Sequence, residues 1–204
     1  RVFVVASNNE EIEVKIKLTD SGVDSLTQWL NTHAVYKDSV LQQEYYLDNP
    51  NDTWFLEHDE GYRYALKYLR VRFTKHGDFV CYKDWETGPK KGVAGLYCKD
   101  VEYKVSSGEQ AIALFKSLGY TDITKFSKTR KSFHYKDFEI AVDSVEGLGV
   151  FFEFEVKNRL YDDQHAEYQR LITFIENDLG LSDYTIQKQG FIVLLWNTQH
   201  DFTV

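Results

Sequence analysis

The 204 residues include no methionine, only two prolines and only two cysteines. Each scarcity removes a class of protein. With no methionine there is no initiator, so trimming ahead of Arg1 is expected. Two prolines and twelve glycines exclude collagen-like and linker-rich architectures. Cys81 and Cys98 make neither a CxxC pair nor a disulfide framework, so both are read as small buried apolar side chains. An intracellular, cytoplasmic setting is the matching expectation. No apolar run nears the roughly 18 residues that span a bilayer. Val2-Phe3-Val4-Val5-Ala6 is likewise shorter than the apolar stretch of about 7–15 residues in a signal peptide. No membrane partner is therefore expected. A P-loop of the form GxxxxGK[ST] is missing, and the six histidines show no HxxxH or HxH spacing suited to zinc.

Positive charge is also in deficit. Lys and Arg number 24 against 32 Asp and Glu, a formal net charge of −8. Affinity for nucleic acid comes largely from neutralising phosphates, so a generic nucleic-acid binder is disfavoured. What remains is ordinary globular composition, 43% hydrophobic and 27% charged, with an aromatic share of 16% that points to a large core or an aromatic-lined surface. No linker, charge block or low-complexity segment interrupts it, and one domain over residues 1–204 is expected.

Periodicity sets out the elements. Glu11 to Leu18 alternates charged and apolar side chains, the pattern of a strand with one ionic face. A short helix capped by Asp20 or Ser21 follows, with Val23, Leu26, Trp29 and Leu30 on one side. Further strands are expected over Val40 to Leu47, Ala65 to Phe73, Phe79 to Lys83 and Lys99 to Val105, with a loop over Thr87 to Leu96. The stretch from Trp54 to Tyr68 reads as a core edge and loop. Ser107 and Gln110 resemble a capping box for a helix ending at Gly119. Ile123 to Val156 is strand-like with breaks near Lys136 and Gly147, a helix spans about Asp162 to Leu179, and Phe191 to Trp196 is a last strand or helix. The strand–helix alternation of a doubly wound sheet is missing.

Charges recur at two-residue steps, which places them on one face of each strand. The sets are Glu11, Glu13, Lys15 and Lys17; Arg70 and Arg72; Lys128 and Arg130; and Glu153 and Glu155, with Asp143 on the strand before the last pair. A solvated sheet exterior accounts for any one set. Taken together they also fit an ionic surface whose members satisfy one another, a metal and an anionic ligand. Arg and Lys recognise phosphate oxygens, and clustered carboxylates suit Mg²⁺ or Mn²⁺.

Glu11-Ile12-Glu13-Val14-Lys15 resembles the ExExK signature of the CYTH superfamily, the triphosphate tunnel metalloenzymes. Leu69-Arg70-Val71-Arg72, Lys83, Lys128-Thr129-Arg130 and Asp143 through Gly149 into Glu153-Phe154-Glu155 resemble, in order and spacing, its class IV adenylyl cyclase branch. The resemblance spans about residues 11–179. It implies an α+β fold: an eight-stranded antiparallel β-barrel forming an open tunnel, with helices packed outside. It also implies metal ligation by Glu11, Glu13, Glu153 and Glu155, with Asp143 as a further ligand or as the group that orients the basic residues. Phosphate binding would fall to Lys15, Arg70, Arg72, Lys83, Lys128 and Arg130, and catalysis to Glu11, Glu13, Lys15 and Arg72. Lys17 continues the ionic face outside the short signature.

The implied activity is divalent-metal-dependent chemistry on a small-molecule triphosphate, by a monomer or homodimer. Hydrolysis is the first expectation. The alternative is cyclisation of ATP to cyclic AMP and pyrophosphate; a non-catalytic polyphosphate-binding module is the third. Some class IV cyclases carry a His-Phe pair shortly before ExExK, and Val5-Ala6 stands at that offset here, which places hydrolysis ahead.

Overall fold

The computed structural model describes residues 12–52, 54–84, 99–200 and 202. Glu11, Cys98 and the loop expected over Thr87 to Leu96 lie outside the described residues. In chain order the elements are β1 (Glu13–Leu18), α1 (Asp20–His33), β2 (Val35–Asp48), β3 (Phe55–Glu57), β4 (Arg63–Ala65), β5 (Lys67–Thr74), β6 (Gly77–Asp84), β7 (Lys99–Val105) and α2 (Gly108–Ser117). There follow β8 (Thr121–Tyr135), β9 (Phe138–Val145), β10 (Gly149–Val156), α3 (Gln164–Thr173) continued by a π-helical turn (Phe174–Asp178), β11 (Tyr184–Ile186) and α4 (Phe191–Trp196).

Among the described residues the class is α+β, an antiparallel sheet of many strands with four α-helices. Strands are hydrogen-bonded in the order β11-β1-β10-β9-β8-β2-β5-β6-β7, with β3 and β4 as a separate ribbon. The described sheet thus has nine strands where the resemblance implies eight, and its order is open, ending at β11 and β7. By packing, the chain divides into two compact units. One includes Gln43–Lys125; the other comprises Ile12–Gln42 and Phe126–Val204.

In the second unit the alternation along each strand separates the two faces. Ile12, Val14 and Ile16 of the β1 segment join Phe133, Phe138, Ile140, Val142, Phe152, Phe154 and Val156 in one buried cluster. α1 contributes Leu26 and Leu30 to it, and the α3 segment Leu171, Phe174 and Ile175. Burying each such side chain contributes about 1.5–3 kcal/mol. The Thr19 hydroxyl, rather than Asp20 or Ser21, caps α1. The long helix expected to Leu179 changes winding at Phe174, where the Leu179 amide bonds to the Phe174 carbonyl five residues back.

The first unit repeats the plan. Leu47, Trp54, Leu69, Val71 and Val80 form its core, and α2 lays Ala111, Ile112 and Phe115 against it. Ser107 caps α2 by accepting a hydrogen bond from the Gln110 amide at 3.2 Å, as its sequence pattern predicts. In both units the described charge sets singled out from sequence alternate with the core residues and so fall on the opposite strand face.

Candidate functional site

In the second unit, register builds the ionic face strand by strand. Lys15 of β1 is opposite Glu153 of β10, and Glu13 is opposite Glu155. Glu155 in turn faces Glu139 of β9, and Asp143 of β9 faces Arg130 of β8. Asp143 is the hub. It is fully buried, accepts from Lys128 Nζ at 2.9 Å, and receives Arg130 Nε and Nη2 at 2.7 and 2.6 Å. Burial opposes ionisation of this carboxyl, but Lys128 and Arg130 outweigh it and hold its pKa below the usual range. Arg130 Nη2 also reaches Glu153 Oε1 at 2.9 Å, and Lys15 Nζ lies 3.8 Å from Glu153 Oε2. Four of the expected residues on this face (Lys128, Arg130, Asp143 and Glu153) form one connected network, with Lys15 at its edge.

Glu13, Glu155 and Glu139 make a row of like charges beside that network. Burial raises the Glu155 pKa; Lys157, at 2.6 Å, pulls it down, while Glu13 and Glu139 push it up. Such a row of hard oxygen donors suits a divalent cation, which relieves the repulsion. Among the described residues, no three His, Cys, Asp or Glu side chains converge closely enough to hold a metal ion alone. Glu13 and Glu155 are therefore a partial carboxylate set.

Aromatic rings border the same face. Phe191, at the start of α4, lies beneath the Lys15 and Lys128 ammonium groups at 4.4 and 4.9 Å from its centroid. It packs against Phe151 at 5.1 Å. Lys17 continues the face, 5.4 Å from the Phe151 ring. The last apolar run is thus a helix: Phe191 lies under two ammonium groups, and Phe191, Ile192, Val193 and Leu194 are all buried.

In the first unit, Arg72 of β5 is opposite Glu44 of β2, and Arg70 is opposite both Tyr46 of β2 and Cys81 of β6. Cys81 faces Glu102 of β7, and Lys83 faces Asp100. Glu44 has a side chain with no solvent exposure, and its two oxygens lie 3.0 Å from the Nε atoms of Arg70 and Arg72. The guanidinium of Arg70 is buried, which alone would lower its pKa, but the Glu44 carboxylate raises it well above its usual value. Lys83 pairs with Asp100 at 3.0 Å. Burial pushes the Cys81 thiol up to about 11, so it is a neutral group that donates to Glu102 Oε2 at 2.7 Å. Cys81 is buried as expected, yet it is bonded to a carboxylate rather than inert.

Glu44, Asp100, Glu102, Glu139 and Phe191 were not singled out from sequence. Gln42-Glu44-Tyr46 and Asp100-Glu102-Lys104 do alternate as strands do, but only cross-strand register shows which arginine each carboxylate meets. The Trp54 to Tyr68 stretch is the β3–β4 ribbon with a buried Trp54.

The CYTH domain family model matches residues 9–189. A protein of Methanocaldococcus jannaschii named as a candidate adenylate cyclase is 32% identical over 184 residues, covering 90% of this chain and 97% of the relative. The adenylate cyclase CyaB of Aeromonas hydrophila is 24% identical over 189 residues, 90% of this chain and 87% of the relative. A solved Hippeastrum structure, described as a candidate adenylyl cyclase with a dominant triphosphatase activity, superposes with a TM-score of 0.66 at 15% identity. It covers 94% of this chain and 97% of its own.

Proposed function

The chain belongs to the CYTH domain family, and from that premise we propose that it is a divalent-metal-dependent phosphohydrolase acting on a triphosphate. Members of the family are triphosphatases or class IV adenylate cyclases. The observation that carries the reading is the ionic face of the second unit, where Lys15, Lys128 and Arg130 stand beside the opposed carboxylates Glu13 and Glu155. A simple anion binder has no use for those carboxylates, which oppose the ligand unless a cation intervenes.

The contacts support a division of roles. Lys15, Lys128 and Arg130 supply phosphate-binding cations, as do Arg70, Arg72 and Lys83 of the first unit. Of the two roles open to Asp143, its contacts support orientation: both oxygens already hold Lys128 and Arg130. Glu13 and Glu155, with Glu11 and Glu153, are the proposed ligands for Mg²⁺ or Mn²⁺. When bound, such a cation neutralises negative charge gathering on the phosphate oxygens. Fixed cations do the same without reorganising, since phosphoryl transfer depends chiefly on positioning and charge stabilisation. Water attacks the terminal phosphorus, the bond to the bridging oxygen breaks, the diphosphate portion departs with that oxygen, and the water oxygen ends in the released orthophosphate.

The names of the M. jannaschii and A. hydrophila relatives favour a second reading. In it the ribose 3′-hydroxyl of ATP attacks the α-phosphorus and pyrophosphate leaves. A product assay over inorganic tripolyphosphate, thiamine triphosphate and ATP, each with Mg²⁺ and with Mn²⁺, tests both. Orthophosphate release is expected, and Glu13→Gln is expected to abolish it while leaving tripolyphosphate affinity largely intact. Cyclic AMP with pyrophosphate from ATP would replace the first reading by the second. Unchanged turnover in Glu13→Gln would remove its metal role.

A further inference from the structure

The arginines of the first unit are held by two carboxylates of different character. Glu44 lies on an inner strand with no solvent exposure and takes the Nε side of both Arg70 and Arg72 at 3.0 Å. Glu102 lies on β7, at one end of the described strand order, and 38% of its side chain is exposed. It takes the other side. Its Oε2 accepts from Arg72 Nη1 at 3.1 Å, lies 3.9 Å from Arg70 Nη2, and accepts from the Cys81 thiol at 2.7 Å.

One carboxylate oxygen therefore accepts from one guanidinium and a neutral S–H donor, with a second guanidinium in ion-pair range at 3.9 Å. That is the donor set a phosphate oxygen would use, because the Nη ends are what a planar guanidinium offers to an anion once its Nε is engaged. The two acids differ in what it costs to move them. Withdrawing Glu44 would strand two guanidinium groups, one of them buried, without their fixed partner. Glu102 can rotate from an edge strand into water, and a pair this exposed is worth little to stability.

We propose that Glu102 is an exchangeable counter-ion, which holds the Nη ends of Arg70 and Arg72 in the ligand-free chain and gives them up to a substrate phosphate. The inference rests on the reading of these arginines as phosphate ligands. It adds a determinant of specificity. A ligand must out-compete a tethered carboxylate, so multiply charged polyphosphates gain entry where orthophosphate and carboxylate metabolites are held off. Glu44 meanwhile fixes the guanidinium planes, so they stay oriented during the exchange.

Calorimetric titration of the metal-free protein with inorganic tripolyphosphate and with orthophosphate tests this. Glu102→Gln keeps the size and an acceptor oxygen but removes the competing charge. It is expected to bind tripolyphosphate roughly three- to fivefold more tightly, the scale of a part-exposed ion pair, and to tighten orthophosphate binding by a similar factor. Unchanged or weaker tripolyphosphate binding overturns the proposal. Glu102→Asp, which keeps the charge but draws it back by one methylene, is expected to tighten binding in the same direction and serves if the first variant fails to fold. Arg72→Ala separates the two ideas. If it weakens tripolyphosphate binding while Glu102→Gln changes nothing, the phosphate site stands and the counter-ion role falls. If Arg72→Ala binds as the parent does, the phosphate reading of this unit falls with it.

Discussion

Asp143 shows how much one residue's surroundings decide. Lys128 and Arg130 overcome the effect of its burial and keep it ionised below its ordinary pKa of 3.8. The folded chain thus holds the proton less tightly than the unfolded chain. The stability Asp143 contributes is present above its unfolded pKa and is lost as the pH falls through the depressed folded value. Asp143→Asn removes the carboxylate that Lys128 and Arg130 share. A loss of about 3 kcal/mol at neutral pH is expected. Because protonation gives the parent much the same neutral side chain, that difference should shrink below about pH 4. Urea unfolding followed from neutral pH downward measures it, and a gap that stays constant would contradict the assignment. Glu155 is displaced the other way, since burial and its carboxylate neighbours raise its pKa. Two acids on one sheet face, Asp143 on β9 and Glu155 on β10, therefore titrate apart.

At the scale of elements, alternation and capping made most strands and helices legible. β5, β6, β8, β9 and β10 fall where two-residue periods and turn residues place them. The breaks at Lys136 and Gly147 coincide with positive φ angles of 51° and 78°, which chain reversal demands. Other features follow from packing instead. β2 begins at Val35, ahead of the expected Val40, because pairing extends it beyond its apolar stretch. The π-turn at Phe174 was hidden because three- and four-residue spacing does not distinguish four-residue from five-residue hydrogen bonds; Phe174 stacks on Phe138 at 4.4 Å there. Gly108, the first residue of α2, sets propensity against packing. Glycine is ordinarily a poorer helix former than alanine by about 1 kcal/mol. A Cβ here would meet Phe73 Cε1 at 2.5 Å and Val71 Cγ1 at 3.0 Å. Overpacking costs about 1–3 kcal/mol and outweighs the propensity gain at a helix's first position. Gly108→Ala is therefore expected to lower stability in thermal unfolding, and a higher Tm would show that propensity prevails.

For the molecule as a whole, a net charge of −8 coexists with local clusters of Lys and Arg. Those clusters are neutralised in place: Arg70 and Arg72 by Glu44 and Glu102, Lys83 by Asp100, and Lys128 and Arg130 by Asp143 and Glu153. A long polyanion thus meets overall repulsion and few cations ready to release counter-ions. A labelled single-stranded oligonucleotide at physiological salt is expected to leave fluorescence anisotropy unchanged at micromolar protein concentrations. A salt-sensitive rise would reveal a nucleic-acid surface and redirect the functional reading.

Two-residue periodicity determined, without coordinates, that many strands alternate with a few helices and that Lys15, Arg70, Arg72, Lys128, Arg130, Asp143 and Glu153 lie at alternating strand positions, while the α+β class was implied by the family resemblance. That information is local, because a strand's alternation is written in consecutive residues. Tertiary structure alone decided the partners. Glu44 sits 28 residues from Arg72 in sequence, and Glu102 sits 30 residues from it. Strand register brings such residues within 3–4 Å, and register depends on how each unit's own apolar core packs as a whole.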